Sequence, residues 1–347
     1  MRKYDRFSDG FDQGLKPLKS LDIAQCNSVL ELVRQMKDTA FGGRALGEAH
    51  EVLYQMITDP DCFVVGTFSG AMTIAKMGLL VCEMIDRNML DAVVSTGALM
   101  AHGFVESLGF SHFKSDPFVD DLDYYRAGFN RVYDTIELEK NLDDIEDIIR
   151  DVLDSWGQGK PLSSVTFCEE LGKYLLERTE GRGILKSAAS QKIPIYIPAF
   201  TDSELGIDIG LYRRRQKQNK SPVLAFDPFL DLDHYTQKII ESTKIGIFTI
   251  GGGVPRNWAQ QVAPYIDIIQ HKLGEKRNSK RFLYGVRICP EPVHWGGLSG
   301  CTYREGVSWG KFMSKKEGGQ WAEVIADATI AWPLLLRSVM ERLDLNS

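Results

Sequence analysis

The sequence lacks three features that would point to common classes of function. It has no apolar run long enough to span a bilayer, so no transmembrane helix is predicted. Its six cysteines are spread singly without a C-x-x-C pair, which argues against a disulfide framework. It also has no excess of basic residues, since the net charge is −6. We therefore expect neither a nucleic-acid partner nor a membrane-surface partner.

The first residues also lack the apolar core of a signal peptide, because residues 1–5 lead into a polar stretch. Together with the unpaired cysteines, this predicts a soluble, cytoplasmic protein with reduced thiols. No metal site is predicted from the sequence. The length of 347 residues is enough for two domains or for one large α/β domain.

The N-terminal part of the chain reads as helical. Residues 1–60 are predicted to form an N-terminal helical segment, in which a first helix carries an apolar stripe up to Met36. Gly42-Gly43 is predicted to break the pattern, and a second helix is predicted from Ala45 to Ile57. Residues 61–347 are predicted to form a single large α/β domain.

From Cys62 onward, short apolar runs alternate with helical stretches. Continuous apolar runs are typical of parallel strands that are covered on both faces. Their alternation with helices predicts an α/β fold with a doubly wound, mostly parallel sheet. A helix is predicted from Gly70 to Ile85, and the hydrophilic stretch 272–280 is predicted to be a solvated loop. Strands are predicted at 62–66, 92–95, 193–197, 222–226, 245–250, 282–286 and 324–326.

Three of the predicted strands are followed by small residues. These turns are Ser69-Gly70, Ser95-Thr96-Gly97 and Gly251-Gly252-Gly253. Ligands of open α/β sheets lie beyond the carboxyl ends of strands, where glycine lets the backbone approach a phosphate. The G-x-G-x-x-G fingerprint is absent, and tight turns are needed in any α/β protein. Three such turns together nevertheless predict a nucleotide site.

The most informative stretch is Glu305–Lys311, which reads EGVSWGK. A lysine beside an apolar ring can lose its proton, because desolvation disfavours the ammonium form. A neutral lysine is a nucleophile that forms imines. The alternative interpretation of Lys311 is an ordinary solvated lysine that follows a buried tryptophan.

The stretch Glu305–Lys311 resembles the active-site signature of deoxyhypusine synthase, E-A-V-S-W-G-K, with a glycine in place of the alanine. Further motifs agree in order from about Cys62 to Trp332, so the chain is identified as a member of this family. The resemblance implies a Rossmann-like catalytic domain that binds NAD, and a homotetramer with its active site at a dimer interface.

The resemblance also implies which residues bind NAD. Asp202 is a candidate for a hydrogen bond to a ribose hydroxyl, and its alternative role is to cap the turn before Leu205. The full set of cofactor-binding candidates is Ser69, Gly70, Ser95, Thr96, Gly97, Asp202, Gly252, Asp327 and Ala328.

Enzymes of this family use NAD without net redox change. A polyamine, spermidine in deoxyhypusine synthase, gives up a hydride, and a lysine takes over its four-carbon aminobutyl group as an imine. The resemblance assigns this role to Lys311, and it places Glu305 among the acids of the donor site. Trp309 would flank the aliphatic chain of the donor, where a cation–π contact helps, or it would pack in the core. The acceptor is either a protein lysine of a translation factor or a small amine, as in homospermidine synthesis.

The chain departs from the family pattern around the substrate. Asn257 occupies the position of an active-site histidine and cannot titrate, which leaves His294 and His102 as the nearest candidates for proton transfer. Leu298 replaces an acid that holds a donor ammonium group. The paired glutamates of the family become Ala101-His102, and the last acid of another motif is shifted to Asp208. The substrate-binding candidates are therefore His102, Asp208, Asn257, Ser299 and Gly300.

We interpret these departures as the mark of a divergent branch, in which the donor need not be spermidine and the acceptor need not be a protein. Two other classes of function stay open. A non-catalytic NAD-binding protein would keep the glycine turns and lose transfer. A deacylase that consumes NAD would release nicotinamide.

Overall fold

The computed structural model describes residues 7–157, 159–275 and 279–345. Its nine strands, in chain order, are β1 (Cys62–Phe68), β2 (Ala92–Ser95), β3 (Phe113–Lys114), β4 (Phe129–Val132), β5 (Thr135–Leu138), β6 (Ile195–Tyr196), β7 (Lys244–Ile250), β8 (Tyr284–Ile288) and β9 (Gln320–Val324). The main sheet has six strands in the order β6-β2-β1-β7-β8-β9, and every neighbouring pair is parallel. Strands β3, β5 and β4 form a separate antiparallel sheet.

Helices cover both faces of the main sheet. They are α1 (Val29–Lys37), α2 (Phe41–Thr58), α3 (Gly78–Asp86), α4 (Gly97–Ser107), α5 (Asp121–Ala127), α6 (Glu139–Ser155), α7 (Ser164–Arg178), α8 (Ile184–Gln191), α9 (Glu204–Gln218), α10 (Phe229–Glu241), α11 (Gly253–Leu273), α12 (Tyr303–Ser308) and α13 (Ala328–Asp344). Val64 and Phe68 of β1 belong to one hydrophobic core and Val65 to another. Successive residues of a strand point to opposite faces, so both faces of this sheet are buried. The predicted doubly wound α/β fold is confirmed.

The predicted strands differ from the observed ones in several places. Of residues 222–226, Phe226 forms an isolated bridge with Leu162 and the remainder is irregular. The antiparallel sheet was not predicted, because β3 and β4 are short and exposed and carry no apolar run. α3 begins eight residues later than the predicted helix, since Gly70 and Lys76 take left-handed backbone conformations. Residues 276–278 of the predicted charged loop lie outside the described residues.

The N-terminal helices differ from the prediction at their junction. Gly42 and Gly43 lie in the first turn of α2, so the break falls between Lys37 and Phe41. α1 and α2 approach closely at Gly47, where a Cβ would lie 2.5 Å from the backbone nitrogen of Lys37. α2 packs against β8, β9 and α13, where His50 Nδ1 lies 2.8 Å from Ser338 Oγ. Within the described ranges, no helix is both long enough and apolar enough to cross a membrane.

The topology defines where a ligand is expected. From β1 the chain adds β2 and then β6 on one side of the sheet, and it adds β7, β8 and β9 on the other side. The order therefore reverses between β1 and β7, and such a switch point is the usual ligand crevice of an open α/β sheet. Ser69 and Gly251 directly follow these two strands.

Candidate functional site

The structure brings the three predicted glycine turns together at the carboxyl edge of the sheet. Ser69 Oγ accepts a hydrogen bond from the backbone N–H of Gly252 (3.0 Å) and donates to the carbonyl of Ile250 (3.2 Å). Thr96 Oγ1 donates to the carbonyl of Gly70 (2.5 Å). Ser95, which precedes Thr96, is fully buried at the end of β2. The turns after β1, β2 and β7 thus form one continuous edge, the strand-end edge, made of Ser69-Gly70, Ser95–Gly97 and Gly251–Gly253.

Glycine is required on this edge by close contacts. Gly251 has a φ of +77°, and a Cβ there would lie 2.0 Å from Ser69 Oγ. A Cβ at Gly252 would lie 2.5 Å from Ser299 Cα. Helix α11 begins directly after Gly252, and no side chain of the described residues caps its first N–H groups. An uncapped helix N-terminus behind a glycine turn is suited to an anionic group such as a phosphate.

The remaining cofactor candidates lie at the starts of helices α9 and α13. Ser203, rather than Asp202, caps α9 by accepting a hydrogen bond from the N–H of Gly206 (3.3 Å), and the Asp202 residue is exposed. Asp327 caps α13, and hydrogen bonds from Thr329 lower the pKa of its carboxyl group. Ala328 is the first residue of α13. The capping alternative for Asp202 is therefore taken by its neighbour, whereas Asp327 has a structural role of its own.

Lys311 lies in a cleft of about 320 Å³. Its described lining consists of Asn257, Gln261, Val293, Gly296, Gly297, Leu298, Cys301, Glu305, Gly306, Trp309 and Lys311. The Lys311 residue is only 8% exposed, and its Nζ donates a hydrogen bond to Asn257 Oδ1 (2.9 Å). Burial lowers the pKa of Lys311; Cys301 and Glu305 oppose this shift, and the guanidinium of Arg256 adds to it. The alternative of an ordinary solvated lysine does not describe this residue.

A short helix and a tight turn position Lys311. Helix α12 is capped by Thr302, and the chain then reverses at Gly310, whose φ is +70°. The N–H of Lys311 donates to the carbonyl of Gly306 (3.0 Å), and its carbonyl accepts from the N–H of Phe282 (2.9 Å). A Cβ at Gly306 would lie 2.8 Å from Phe312 Cδ2. Gly306, which stands where the signature has alanine, therefore leaves room for the ring of Phe312.

Two buried arginines, which sequence reasoning missed, hold the loop that walls the cleft. Arg287 donates to the carbonyls of Ser299 (2.6 Å) and Cys301 (2.7 Å), and Arg256 donates to the carbonyl of Cys301 (2.6 Å). Arg287 also pairs with Glu323 (2.8 Å). Ser299 and the buried Gly300 thus belong to a rigid support of the cleft. The only sequence signal was the position of Arg287 within an otherwise apolar strand.

Aromatic and acidic side chains stand at the mouth of the cleft. Trp309 is 64% exposed, with its ring centroid 5.9 Å from Lys311 Nζ, so the core-packing alternative for Trp309 is wrong. Glu305 and Leu298 are also exposed. His294 is exposed beside Trp295, at a ring separation of 6.4 Å. The mouth therefore offers one carboxylate and several apolar surfaces.

Two predicted substrate residues lie in a different place. His102 is buried on α4, where its Nδ1 donates to Glu137 (3.1 Å) and its Nε2 lies 4.0 Å from Glu204. Asp208 is half-buried on α9, and burial together with Glu146 and Glu204 raises its pKa to about 7. Asp208 Oδ2 and Glu204 Oε2 are buried and have no hydrogen-bond partner among the described residues. Within one chain, the Lys311 cleft and this group of acids are separate features.

Glu137 is the centre of a buried polar network. Burial by itself would raise the pKa of Glu137, but hydrogen bonds from His102, His112 and Asn141 outweigh it and lower the pKa to about 2. Glu137 is therefore an ionised carboxylate in the protein interior. His102, which was predicted to contact substrate, serves instead as one of its two histidine partners.

Comparison with known proteins gives a consistent result. The family model for deoxyhypusine synthase matches residues 31–339. "Probable deoxyhypusine synthase 2" of Methanosarcina mazei is 34% identical over 327 residues, which cover 94% of this chain and 90% of the relative. "Deoxyhypusine synthase-like protein" of Chlorobaculum tepidum is 34% identical over 322 residues, covering 92% of this chain and 88% of the relative.

A solved structure has a similar fold. It is described as a candidate deoxyhypusine synthase from Entamoeba histolytica, and it superimposes with a TM-score of 0.60 at 17% identity. The match covers 93% of this chain and 97% of that chain. At this identity the similarity concerns the fold alone.

Proposed function

Because the chain belongs to the deoxyhypusine synthase family, we propose that it is a transferase that moves an aminobutyl group from a polyamine, through an imine on Lys311, to an acceptor amine. The observation that carries this proposal is the state of Lys311. Its amine is buried, its pKa is lowered, and it is held by Asn257. These are the conditions under which a lysine acts as a nucleophile.

The proposed cofactor is NAD, and the strand-end edge fits it. Ser69, Gly70 and Gly252 would hold the diphosphate near the uncapped start of α11, and the exposed Asp202 would bind a ribose hydroxyl. Asn257 lies four residues after Gly253, about 6 Å along the same helix. When bound, NAD would accept a hydride from the donor carbon and later return it. Helix α11 therefore joins the proposed cofactor edge to the nucleophile.

The steps at Lys311 follow from its surroundings. The neutral amine adds to the oxidised carbon of the donor, the bond between that carbon and the departing diamine breaks, and the diamine nitrogen takes the proton that Lys311 loses. The acceptor amine then adds to the lysine imine and displaces Lys311. Trp309 would lie along the aliphatic chain and Glu305 would pair with an ammonium group. The Asn257 carbonyl orients the amine and does not move the proton itself.

The residues of the cleft that differ from the family pattern affect which donor and which acceptor the protein would bind. Leu298 presents an apolar surface where family members have an acid, so we propose a donor with one fewer ammonium contact at this point. The unpartnered carboxylate oxygens of Glu204 and Asp208 are suited to a cationic group.

The homotetramer stays a prediction, in which a second copy brings these acids to the Lys311 cleft. Light scattering measures the assembly, and a monomer under assay conditions would contradict it.

Asn257→Asp is expected to shift the pH dependence of imine formation upward. A carboxylate beside Lys311 Nζ favours the ammonium form and raises the pKa of Lys311. The neutral amine then appears only at higher pH, so the rising limb of the pH profile moves in that direction. The rate of borohydride-trapped adduct formation between pH 6 and pH 10 measures this shift.

The matched control for this variant is Gln261→Glu, which adds a carboxylate to the same cleft while the hydrogen bond between Lys311 Nζ and Asn257 is kept. We expect a smaller shift from it. Equal profiles for the wild type and Asn257→Asp would show that the hydrogen bond between residues 257 and 311 does not tune the nucleophile.

Gly252→Ala is expected to weaken NAD binding by at least about tenfold, because the new Cβ would collide with Ser299 Cα and displace the turn that approaches the cofactor. Gly42→Ala is the control, since a Cβ at this position on α2 meets nothing within 4 Å. Calorimetric titration with NAD measures both variants. Unchanged affinity in Gly252→Ala would remove this turn from the cofactor site.

The proposed function is tested by the products that NAD and a polyamine yield together. Diamine release that requires both NAD and the polyamine supports aminobutyl transfer. Release of nicotinamide would instead favour the deacylase alternative, and NAD binding without any product would favour the non-catalytic alternative. A panel of small amines and a lysine-bearing translation-factor protein then identifies the acceptor.

A further inference from the structure

Three potential metal ligands converge inside the protein, away from the Lys311 cleft. They are His102 on α4, His112 just before β3, and Glu137 on β5. Their ligand atoms all lie within 4.8 Å of one another, and their side chains are 7%, 0% and 1% exposed. His102 Nδ1 lies 3.1 Å and His112 Nε2 lies 2.6 Å from the same oxygen, Oε2 of Glu137. Two imidazoles and one carboxylate therefore point at a common centre.

The groups behind two of these ligands are arranged as around a metal ion. The other oxygen of Glu137 accepts hydrogen bonds from Asn141 Nδ2 (2.9 Å) and from the N–H of Leu138 (2.9 Å). This leaves Oε2 directed at the two histidines. The second ring nitrogen of His102 faces Glu204 Oε1 at 4.0 Å. A carboxylate behind a ligating histidine fixes the ring and increases its basicity, as in many zinc sites.

The surroundings of Glu204, behind His102, carry an excess of negative charge. Glu204 Oε2 is buried without a hydrogen-bond partner among the described residues. Asp208, one turn along α9 from Glu204, lies near the carboxylates of Glu146, Glu204 and Asp143 and near the cation of Arg215. An added cation at the common centre would offset this excess of negative charge.

We propose that His102, His112 and Glu137 form a binding site for a divalent transition-metal ion of the zinc type. Two histidines and one glutamate are an established ligand set for Zn²⁺, in which the fourth position is taken by water or by a further ligand. Glu204 borders both this cluster and the proposed donor site, but the three ligands take no part in the transfer at Lys311 and the proposal does not depend on it. The ligands come from three separate segments of the chain, so metal binding would tie the small antiparallel sheet to α4.

Both histidine rings must change tautomer when the ion binds. The proton of His102 moves from Nδ1 to Nε2, which faces Glu204, and His112 undergoes the larger change. Its Nδ1 lies 2.8 Å from Lys76 Nζ, which donates to it, so the ring proton sits on Nε2 and is donated to Glu137. Coordination through Nε2 requires that proton to move to Nδ1, and Lys76 must then leave. Lys76 is half-exposed and already pairs with Glu106 (2.9 Å), so its departure exposes no buried charge. Lys76 therefore competes with the metal for His112.

This competition between Lys76 and the metal distinguishes a metal site from a purely structural hydrogen-bond network. Lys76→Gln places an amide oxygen near Nδ1, where it can accept the relocated proton. We expect this variant to bind metal about tenfold more tightly, which corresponds to one hydrogen bond to a charged group. Glu204→Gln, which weakens the support behind His102, is expected to bind about 10 to 100 times more weakly.

The experiment uses the full chain, stripped of metal with a chelator and titrated with Co²⁺, whose visible absorption reports tetrahedral coordination. We expect one Co²⁺ per chain, displaced by Zn²⁺, with the absorption lost in His112→Gln and Glu137→Gln. His50→Gln is the matched control, because His50 is also a buried histidine but is bound to Ser338. Thermal unfolding of each variant shows whether it is folded.

Three results would overturn the proposal. The first is the absence of tetrahedral Co²⁺ absorption in the wild type at micromolar metal. The second is absorption that persists in His112→Gln and Glu137→Gln. The third is an unchanged metal affinity in Lys76→Gln. Because this variant removes no ligand, its result is informative even if the ligand variants do not fold.

Discussion

Lys311→Arg is expected to reduce the rate of aminobutyl transfer by at least about 10⁴-fold, as removal of a covalent nucleophile does in other enzymes. The substitution keeps the positive charge and much of the length of the side chain. A guanidinium group stays protonated and does not form an imine. Release of diamine from a polyamine in the presence of NAD measures the rate. Cofactor affinity should be retained, because the strand-end edge does not include Lys311.

The control for this variant is Lys315→Arg, four residues along the chain. Lys315 also lies over a tryptophan ring, at 4.5 Å from the centroid of Trp321, but it is exposed and lies outside the cleft. We expect it to keep the wild-type rate. A Lys311→Arg enzyme within tenfold of the wild-type rate would show that the reaction does not pass through this lysine.

Arg287→Met is expected to destabilise the fold by about 3 to 5 kcal/mol, the usual cost of breaking a buried ion pair from one side. Arg287 is 3% exposed. The change leaves Glu323 without its cation and the carbonyls of Ser299 and Cys301 with fewer donors. Chemical denaturation measures the free energy of unfolding, and a loss below about 1 kcal/mol, the range of an exposed pair, would contradict this role.

Arg281→Met is the matched control for the buried arginine. Arg281 pairs with Glu317 at a similar distance, 2.8 Å, but on the exposed surface. Exposed pairs contribute little to stability because solvent screens them. We therefore expect a much smaller effect, and equal effects in the two variants would show that burial of Arg287 is not what matters.

The central part of the fold was predictable because its strands are buried on both faces. The apolar run 245–250 was predicted as a strand and is observed as Lys244–Ile250. The antiparallel sheet was missed because β3 and β4 are short and exposed and carry no apolar run. The isolated bridge between Leu162 and Phe226 lies outside this sheet and joins residues far apart in the chain, so no local pattern indicates it.

The candidate site could be predicted where its residues are close together in sequence. Glycine turns and the Glu305–Lys311 stretch mark their own positions. Groups assembled from distant segments left no such mark: Arg256 and Arg287 meet at one loop, and His112 meets Glu137 across 25 residues. The choice between alternatives for Trp309 depended on its exposure, and that for Asp202 depended on which residue caps α9. A pattern of residue types does not contain either piece of information.

The most direct measurement is to trap the proposed intermediate. The protein is incubated with NAD and each of several polyamines, reduced with borohydride and mapped by mass spectrometry, with Lys311→Ala as the control. We predict a four-carbon amine adduct on Lys311 that requires NAD, and the polyamine that produces it identifies the donor. Measurable NAD binding without an adduct from any polyamine would contradict the transferase and favour a non-catalytic NAD-binding protein.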